Sequence, residues 1–447
     1  MAWADGARTN GRTAPQREQL KGAFFWLSAF YLIYCVRPED WIPGLVYIPL
    51  AKITAVCALI ALLVSFGKTK RGIRDLPREA IYLSLMIGLL FISALLSPIW
   101  RGGAFFRTLD FSKVLVAWAL TFLLVTDFSR LRRIIFIQSG SVPIICLVSI
   151  LKGHDRPRLQ GVLGGIYSDP NDLAFAIVLS LPLCLALCLN SRGALRKAIW
   201  GVLILIMGAA LMLTASRAGF IDLVISMTVC LWHFGIRGRR LSLVVGTVVI
   251  GAALLLGAGG RLKDRFLAMT GTGIGTKLEI SASGSFEERR FLMIRSLVGI
   301  MHYPILGVGV RNFAEYSGIW KVVHASYLQI GVEGGIPVMV LYLMFFWRGF
   351  ANLRMTKRIG IPDREISLFY GALHSSLVGF VVGACFAPEA YQFFPYFTVA
   401  YTSVFFLIIK ERQDSSAAPV KAARRFRHFT EVDATDEPPA VLPSLRS

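Results

Sequence analysis

The chain alternates between long apolar blocks and short polar connections over most of its length. The blocks hold about 17–22 residues, which is the length a helix needs to cross a hydrocarbon layer of roughly 30 Å. A helix also satisfies its own backbone N–H and C=O groups, for which the lipid interior offers no other partner. The pattern therefore predicts an all-α, polytopic membrane protein.

Windowed hydropathy predicts about twelve transmembrane helices. Their predicted bounds are 23–36, 46–66, 79–97, 111–126, 133–151, 172–190, 196–214, 217–234, 241–258, 325–347, 366–386 and 391–410. The chain then divides into a tail at 1–22, transmembrane helices 1–9 within 23–258, a loop at 259–324, transmembrane helices 10–12 within 325–410, and a tail at 411–447. The loop is the main polar interruption of the pattern.

Basic residues indicate on which side of the membrane each connection lies. The connections after the even-numbered helices are rich in Lys and Arg, among them Lys68, Lys70, Arg71, Arg130, Arg132, Arg192, Arg196, Arg237, Arg239, Arg354 and Lys357. Short cytoplasmic loops carry such an excess. We therefore expect these connections and both termini to be cytoplasmic, and the loop at 259–324 to lie outside.

Composition argues against a soluble domain and against a nucleic-acid partner. Hydrophobic residues make up 55% of the chain and charged residues 17%, whereas soluble domains carry about 25% charged residues. The net charge of +21 arises from loops between apolar blocks rather than from one basic face. The basic N-terminal tail has no apolar core of a cleavable signal peptide. The tail at 411–447, rich in Ala, Pro and charge, is expected to be disordered.

The seven cysteines lie within or beside apolar blocks and have no metal-ligand spacing. Small buried hydrophobic side chains are the ordinary use of such residues. The sequence contains no other cluster of carboxylates, Cys or His that indicates a metal. We therefore expect no metal, no cofactor and no disulfide.

Arg217 is the first candidate for a functional residue. It stands in T-A-S-R-A-G at 214–219, at the predicted outer boundary between two helices. Ionisable residues are costly at such a boundary and therefore tend to have a function. A guanidinium stays charged and offers a fork of donors that fits phosphate oxygens. The alternative is an interface arginine that snorkels to the headgroups.

The long loop is predicted to contain an amphipathic helix from about 285 to 303. Spacings of three and four place Arg289, Met293 and either Ser296 or Leu297 on one face. Its apolar residues would let the helix lie against the membrane. A plain surface helix explains the amphipathic pattern but not the paired Arg289 and Arg290, so either arginine is a candidate for binding an anion.

His324 stands at the start of the tenth predicted helix. A neutral imidazole can take a proton from a hydroxyl near neutral pH, so His324 is a candidate general base. A structural histidine at a helix entry is the alternative. Glu333 lies nine residues further, on nearly the opposite side of a straight helix. Glycines at 331, 334 and 335 could bend that helix, so a pairing of Glu333 with His324 stays open.

The sequence Y-S-D-P-N-D at 167–172, which includes Asn171, precedes the sixth predicted helix. D-P-N-D is a good helix-entry signal by itself. A capping role is therefore the alternative to a functional one.

Together these motifs resemble the O-antigen ligase and polymerase superfamily, bacterial enzymes that transfer glycans from undecaprenyl diphosphate. The resemblance is strongest from 167 to 343, and rests on D-P-N-D at 169–172, T-A-S-R-A-G at 214–219, Arg289 before P-I-L-G-V-G at 304–309, and H-A-S-Y-L-Q-I at 324–330 with Glu333. The chain departs from the family in Ala325, often Asn, and in Met293, usually Trp. R-P-E-D-W-I-P at 37–43 is similar to the start of ligase-like proteins of exosortase systems.

The resemblance implies a metal-independent glycosyltransferase of the C-type membrane fold, in the bacterial inner membrane, with the long loop in the periplasm. Arg217 with Arg289 or Arg290 would bind the donor diphosphate. His324 would act as general base, and the supporting residues would be Asn171, Tyr327 and Glu333. The donor would be an undecaprenyl-diphosphate-linked glycan held among membrane lipids, and the acceptor a hydroxyl of the lipid A core or a similar molecule.

Other functions stay open at this point. A polysaccharide polymerase uses similar parts but takes another glycan as acceptor, and a protein serine is a third possible acceptor. A transporter of lipid-linked sugars would predict polar residues near helix centres and two related halves. The sequence offers little of either beyond Asp222. A non-catalytic scaffold is the remaining alternative.

Overall fold

The computed structural model describes residues 13–65, 71–72, 75–153, 158–161, 166–258, 260, 263, 277–360 and 363–433. Within these ranges no side chain is described at 13–19, 258, 277–286 and 416–433. The described part of the chain is helical and contains no strand. The predicted all-α class is therefore confirmed.

Fourteen α-helices, numbered here in chain order, make up the described part. They are α1 Thr13–Val36, α2 Leu50–Val64, α3 Arg78–Leu95, α4 Arg101–Leu124, α5 Phe128–Gly153, α6 Pro170–Asn190, α7 Ala194–Thr214, α8 Arg217–Leu231, α9 Leu241–Ala258, α10 Lys277–His302, α11 Phe313–Ser317, α12 Ser326–Ile359, α13 Arg364–Gly383 and α14 Phe393–Asp433. Short 3₁₀ turns at Pro38–Asp40 and Leu45–Tyr47 join α1 to α2, and a π-helical turn at Trp232–Ile236 continues α8.

Each of the predicted transmembrane helices coincides with a helix of the structure. Eight helices among the described residues are long and apolar enough to cross a membrane, and two shorter apolar helices lie at Leu50–Val64 and Leu241–Gly257. The other two predicted spans fall inside α1 and α4. The structure thus supports a multi-pass membrane protein without fixing the number of crossings at twelve.

Two predicted boundaries differ from the structure. Helix α10 begins at Lys277 rather than near 285, while most of the preceding part of the predicted loop lies outside the described residues. Helix α14 continues to Asp433, so residues 411–433 are helical where disorder was predicted. The run rich in Ala, Arg and Lys after 416 has high intrinsic helix propensity, which the prediction from polarity alone overlooked. Residues 434–447 of the predicted tail lie outside the described residues.

Buried polar contacts fix the packing of the long helices. Glu79 of α3 accepts hydrogen bonds from Asn352 of α12 at 2.8 Å and from Ser403 of α14 at 2.5 Å. Its other carboxylate oxygen lies 3.3 Å from Nε of Arg348. Glu79 is fully buried, and a buried carboxylate needs such partners because its removal from water is costly. The three helices are thereby held in one register.

Helix α12 is broken at Gly335, where φ is 82° and ψ is 174°. The break leaves backbone groups without helical partners, and the segment after α10 supplies new ones. Val308 N–H donates to Val332 O and Gly309 N–H to Glu333 O, both at 2.9 Å, and Ile336 N–H donates to Pro304 O at 2.7 Å. Irregular backbone at membrane depth requires such replacement hydrogen bonds. The bend that the glycines suggested is therefore present, and P-I-L-G-V-G stabilises it.

We expect Gly335→Ala to destabilise the protein more than Gly360→Ala does. Both glycines have backbone angles that L-residues rarely adopt, which costs about 1–3 kcal/mol. An added Cβ at Gly335 would also lie 2.3 Å from Ile305 O, whereas Gly360 has open space around it. Thermal unfolding of the purified variants in detergent, followed by tryptophan fluorescence, measures the difference. Equal melting temperatures would contradict the role assigned to the segment at 304–309.

Candidate functional site

The turn between α7 and α8 places Arg217 as the first residue of α8. Ala215 ends α7 with a left-handed φ of 49°, and Ser216 then caps α8 by accepting a hydrogen bond from Gly219 N–H at 3.1 Å. An added Cβ at Gly219 would lie 2.6 Å from the Cβ of Ala174, so α8 and α6 are in close contact there. The motif T-A-S-R-A-G is thus a helix cap that positions an arginine beside the start of α6.

The start of α6 is tied to that turn. Asp169 caps α6 by accepting from Asn171 N–H at 2.7 Å. The side-chain oxygen of Asn171 accepts hydrogen bonds from Ser216 at 2.7 Å and from Arg158 at 3.4 Å. Arg158 also donates to Thr214 O at 3.0 Å. Asn171 therefore belongs to a helix-entry motif, and its side chain joins the turn that carries Arg217 to Arg158.

Helix α10 brings Arg289 to the same place. Arg289, Leu292, Ser296 and Gly299 follow each other at helical spacings of three and four residues, and the last three are buried. This face packs on α12, since a Cβ at Gly299 would lie 2.6 Å from Val332. Met293, which the sequence placed on the face of Arg289, is exposed instead. Arg290 is exposed as well, because the next residue of a helix points about 100° away.

Electrostatic interactions connect Arg158 to Asp169, Arg289 and Arg217, and Arg289 to Asp169. Burial lowers the pKa of Arg158, the positive charges of Arg289 and Arg217 lower it further, and Asp169 raises it. Burial likewise lowers the pKa of Arg289, against the effects of Asp169 and Glu288. Guanidinium groups nevertheless stay charged in proteins. Three cations and one carboxylate thus lie near one another, and Arg158 and Arg289 are half-buried. We call Arg158, Arg217, Arg289 and Asp169 the arginine cluster.

His324 lies beside the arginine cluster. Burial lowers its pKa from 6.5, the charge of Arg289 lowers it further, and Asp169 and Glu288 act in the opposite direction. Its Nδ1 is buried and has no hydrogen-bond partner among the described residues. The imidazole is therefore neutral at neutral pH, with a nitrogen available to accept a proton.

The pH dependence of a reaction that uses His324 as base should follow its charged neighbours. Lys321 and Glu288 form an ion pair of 2.6 Å, and they shift the pKa of His324 in opposite directions. Lys321→Gln should raise this pKa and move the acid limb of kcat/KM to higher pH, while Glu288→Gln should move it to lower pH. Both variants break the same ion pair, so a purely structural effect would be alike in the two. Unchanged acid limbs, or shifts in one common direction, would contradict the assignment.

Two predicted supporting residues lie elsewhere. Tyr327 donates a hydrogen bond to Val381 O at 2.7 Å, and this bond joins α12 to α13. The ring of Tyr327 packs on that of Tyr342. Glu333 is fully buried and interacts with Tyr391 and Arg311 rather than with the groups around His324. No hydrogen bond joins either carboxylate oxygen of Glu333 to Nδ1 of His324. The pairing of Glu333 with His324 is therefore not formed.

Sequence reasoning missed Arg158 and Glu389. The signal for Arg158 was a basic residue in an odd-numbered connection, where such residues are otherwise scarce. Glu389 N–H donates to Ser326 Oγ at 2.9 Å, two residues from His324. Burial raises the pKa of Glu389, and the neighbouring carboxyl of Asp172 raises it further. Among the residues with described side chains, no group of three or more His, Cys, Asp or Glu could hold a metal ion.

The fold and this site define a multi-pass membrane protein with a cationic pocket and a neutral histidine at one end of its helices. Residues 202–343 match the family model described as O-Antigen ligase (Wzy_C). The match confirms the resemblance to the O-antigen ligase superfamily, and it supports a function of ligase or polymerase type. Arg217, Arg289 and His324 all lie within the matched segment.

The chain is similar to a chain in a solved structure entitled "Structural coordination of polymerization and crosslinking by a peptidoglycan synthase complex". The two chains are 14% identical with a TM-score of 0.42, over 75% of this chain and 97% of the other. No curated protein sequence matches the chain.

Proposed function

We propose that the protein is a lipid-linked glycosyltransferase of the O-antigen ligase type. It moves a glycan from undecaprenyl diphosphate to an acceptor hydroxyl, of the lipid A core or a similar molecule, on the periplasmic side of a bacterial inner membrane. The observation that carries this proposal is the convergence of Arg158, Arg217 and Arg289 with a neutral His324. Their convergence within or beside a segment that matches the O-antigen ligase family supports it.

The arginine cluster binds the diphosphate of the donor. Guanidinium forks donate paired hydrogen bonds to phosphate oxygens. Three cations around one carboxylate repel each other in a partly buried pocket, and a bound diphosphate relieves that repulsion. When the bond between the sugar and the diphosphate breaks, negative charge grows on the leaving oxygen. Fixed cations at that point stabilise the transition state, which elsewhere is often the task of a divalent ion.

His324 acts as the general base. Its neutral imidazole takes the proton of the acceptor hydroxyl while the hydroxyl oxygen attacks the anomeric carbon. The electron pair of the breaking C–O bond leaves with the diphosphate. Because the hydroxyl attacks in a single displacement from the face opposite the diphosphate, the configuration at the anomeric carbon is inverted. Asp169 lies close enough to act on the pKa of His324 and stabilises the imidazolium that forms. The proton then passes to solvent or to the departing diphosphate.

Arg289 rather than Arg290 takes the donor-binding role. Arg289 shares its face with the buried residues of α10 and acts on both Arg158 and His324, while Arg290 is exposed. Asn171 is a positioning residue, because it accepts hydrogen bonds from Ser216 and Arg158 and so holds the turn that carries Arg217.

Cells that lack the gene test the proposed function. A ligase is expected to leave polymer of normal length attached to undecaprenyl diphosphate and missing from its acceptor. A polymerase, which uses the same donor chemistry, would instead leave single repeats and no chain-length ladder. If the deletion strain carries normal amounts of attached polymer, both forms of the proposal are contradicted.

A further inference from the structure

A second polar cavity adjoins the arginine cluster. It has a volume of about 550 Å³ and lies between α1, α4, the segment after α10 and the segment before α14. Sites for small molecules have volumes of roughly 300–1,000 Å³, so a sugar fits within it. Residues of the donor site proposed above do not line it: its basic residues are Arg37, Arg107 and Arg311.

One short segment serves both compartments. Ser168 and Asp172 line the cavity. Between them in sequence, Asp169 belongs to the arginine cluster and Asn171 accepts a hydrogen bond from Arg158. The carboxyl of Asp172 is within hydrogen-bonding reach of Glu389, whose N–H donates to Ser326. The cavity is therefore connected to the region of His324 through the carboxyls of Asp172 and Glu389 and through Ser326, the first residue of α12.

The three arginines of the cavity are held by different contacts. Arg37, from R-P-E-D-W, makes a two-pronged hydrogen bond to Asp40 at 2.9 and 3.1 Å. Arg107 donates to Arg311 O at 2.8 Å and to Asn312 Oδ1 at 3.3 Å, and it lies over the ring of Trp100. Arg311 is exposed, and its charge acts on Asp172 and Glu333. Arg311 thus keeps its donors for a ligand.

Backbone strain is concentrated at these positions. Five non-glycine residues in the described part of the chain have positive φ, and two of them, Arg37 at 50° and Arg311 at 56°, line this cavity. A third, Ala215, lies two residues before Arg217 of the proposed donor site. Such conformations are strained and persist where the surrounding structure fixes them, often at ligand sites. Both arginines are therefore set in place before a ligand binds.

The other walls suit a carbohydrate. The rings of Tyr34 and Phe393 are stacked with centroids 5.2 Å apart, and Tyr391 and Phe111 complete an aromatic side. Asp172 offers carboxylate oxygens as hydrogen-bond acceptors to hydroxyl groups. Aromatic and carboxylate walls match the apolar faces and hydroxyls of a sugar, whereas the guanidinium groups match a phosphate or a carboxylate on it.

We propose that this cavity binds the acceptor and selects a sugar that carries an anionic substituent. The inference rests on the proposed function, which it extends by naming the acceptor class and the residues that recognise it. R-P-E-D-W then has a role that donor binding does not give it: its arginine forms one side of the acceptor site. Arg311 is the main selecting residue and Arg107 supports it.

Binding to the purified full-length protein in neutral detergent tests the inference. The acceptor probes are two synthetic disaccharides that differ in a single phosphate monoester, and the donor probe is undecaprenyl diphosphate. The variants are Arg311→Gln for the cavity and Arg289→Gln for the donor site. Arg101→Gln is the matched control, from the helix that carries Arg107 but outside the cavity. Glutamine, like arginine, has an unbranched side chain on an L-residue, so the cost of the positive φ at position 311 is unchanged.

We expect the phosphorylated disaccharide to bind at least about tenfold more tightly than the neutral one, the effect of a charge-assisted contact. Arg311→Gln should remove that preference and leave undecaprenyl diphosphate binding intact. Arg289→Gln should weaken the binding of undecaprenyl diphosphate and keep the preference for the phosphorylated disaccharide. Arg101→Gln should change neither property. Equal binding of the two disaccharides, or a preference that survives Arg311→Gln, overturns the inference.

Three results distinguish a failure of this inference from a failure of the proposed function. Loss of undecaprenyl diphosphate binding in Arg311→Gln would assign the cavity to the donor and overturn the acceptor site alone. Competition by phosphatidylglycerol for the phosphorylated disaccharide would make the cavity a lipid-headgroup site and overturn it likewise. Wild-type protein that binds no undecaprenyl diphosphate would contradict the proposed function itself.

Discussion

His324→Ala is expected to lower kcat by about 10²–10⁴-fold, the usual contribution of a general base, while the KM for the donor stays nearly constant. The imidazole touches no donor group in the proposed mechanism, so its loss removes proton transfer and not binding. Its lowered pKa and its unpartnered Nδ1 are the structural basis of the expectation. Initial rates of glycan transfer by the purified variant, at several donor concentrations, measure both parameters.

His302→Ala is the control for this variant. His302 is exposed at the end of α10 and lies outside the site, so its loss should leave kcat and KM unchanged. Added imidazole should restore part of the activity of His324→Ala, because the side chain leaves room for a small base. A kcat within about twofold of wild type in His324→Ala would remove His324 from the mechanism.

Arg289→Ala and Arg217→Ala should each lower kcat/KM by about 10²–10³-fold, the loss seen when one fixed charge-stabilising donor is removed. Both arginines act on the departing diphosphate, so donor affinity should fall as well. The double variant should be less impaired than the product of the two single effects, because the residues act as a unit. Transfer assays together with undecaprenyl diphosphate binding measure the two contributions.

Two further substitutions sharpen the test. Arg290→Ala should resemble wild type, since Arg290 adjoins Arg289 in sequence but is exposed. Arg289→Lys should restore little, because an ammonium lacks the planar fork that binds two phosphate oxygens. Equal losses in Arg289→Ala and Arg290→Ala would indicate a general dependence on the charge of α10 and not a defined diphosphate site.

Periodicity and capping signals predicted most of the fold. Apolar blocks located each long helix, because the bilayer imposes a length and a composition that are visible in one dimension. D-P-N-D and T-A-S-R-A-G begin α6 and α8 through Asp169 and Ser216, as local hydrogen-bonding rules predict. The end of α14 was less predictable, because polarity indicates disorder while Ala and Arg favour a helix.

The site was predictable only in part. Arg217, Arg289 and His324 stand out because charged residues at a membrane boundary require a reason. The choice between Arg289 and Arg290 depends on which face of α10 packs against α12, and this is a tertiary contact. Arg158 and Glu389 reach the site from distant connections, so no local pattern marks them. The sequence left a pairing of Glu333 with His324 open, and the structure does not form it.

The most direct test of the account is transfer by the purified protein from a synthetic undecaprenyl-diphosphate glycan to a phosphorylated sugar acceptor, with excess chelator present. The anomeric configuration of the product is read by NMR. The account predicts chelator-resistant formation of a product with inverted configuration, and its loss in Arg217→Ala, Arg289→Ala and His324→Ala. A product with retained configuration, or transfer that stops on chelation and resumes with a divalent ion, would contradict it.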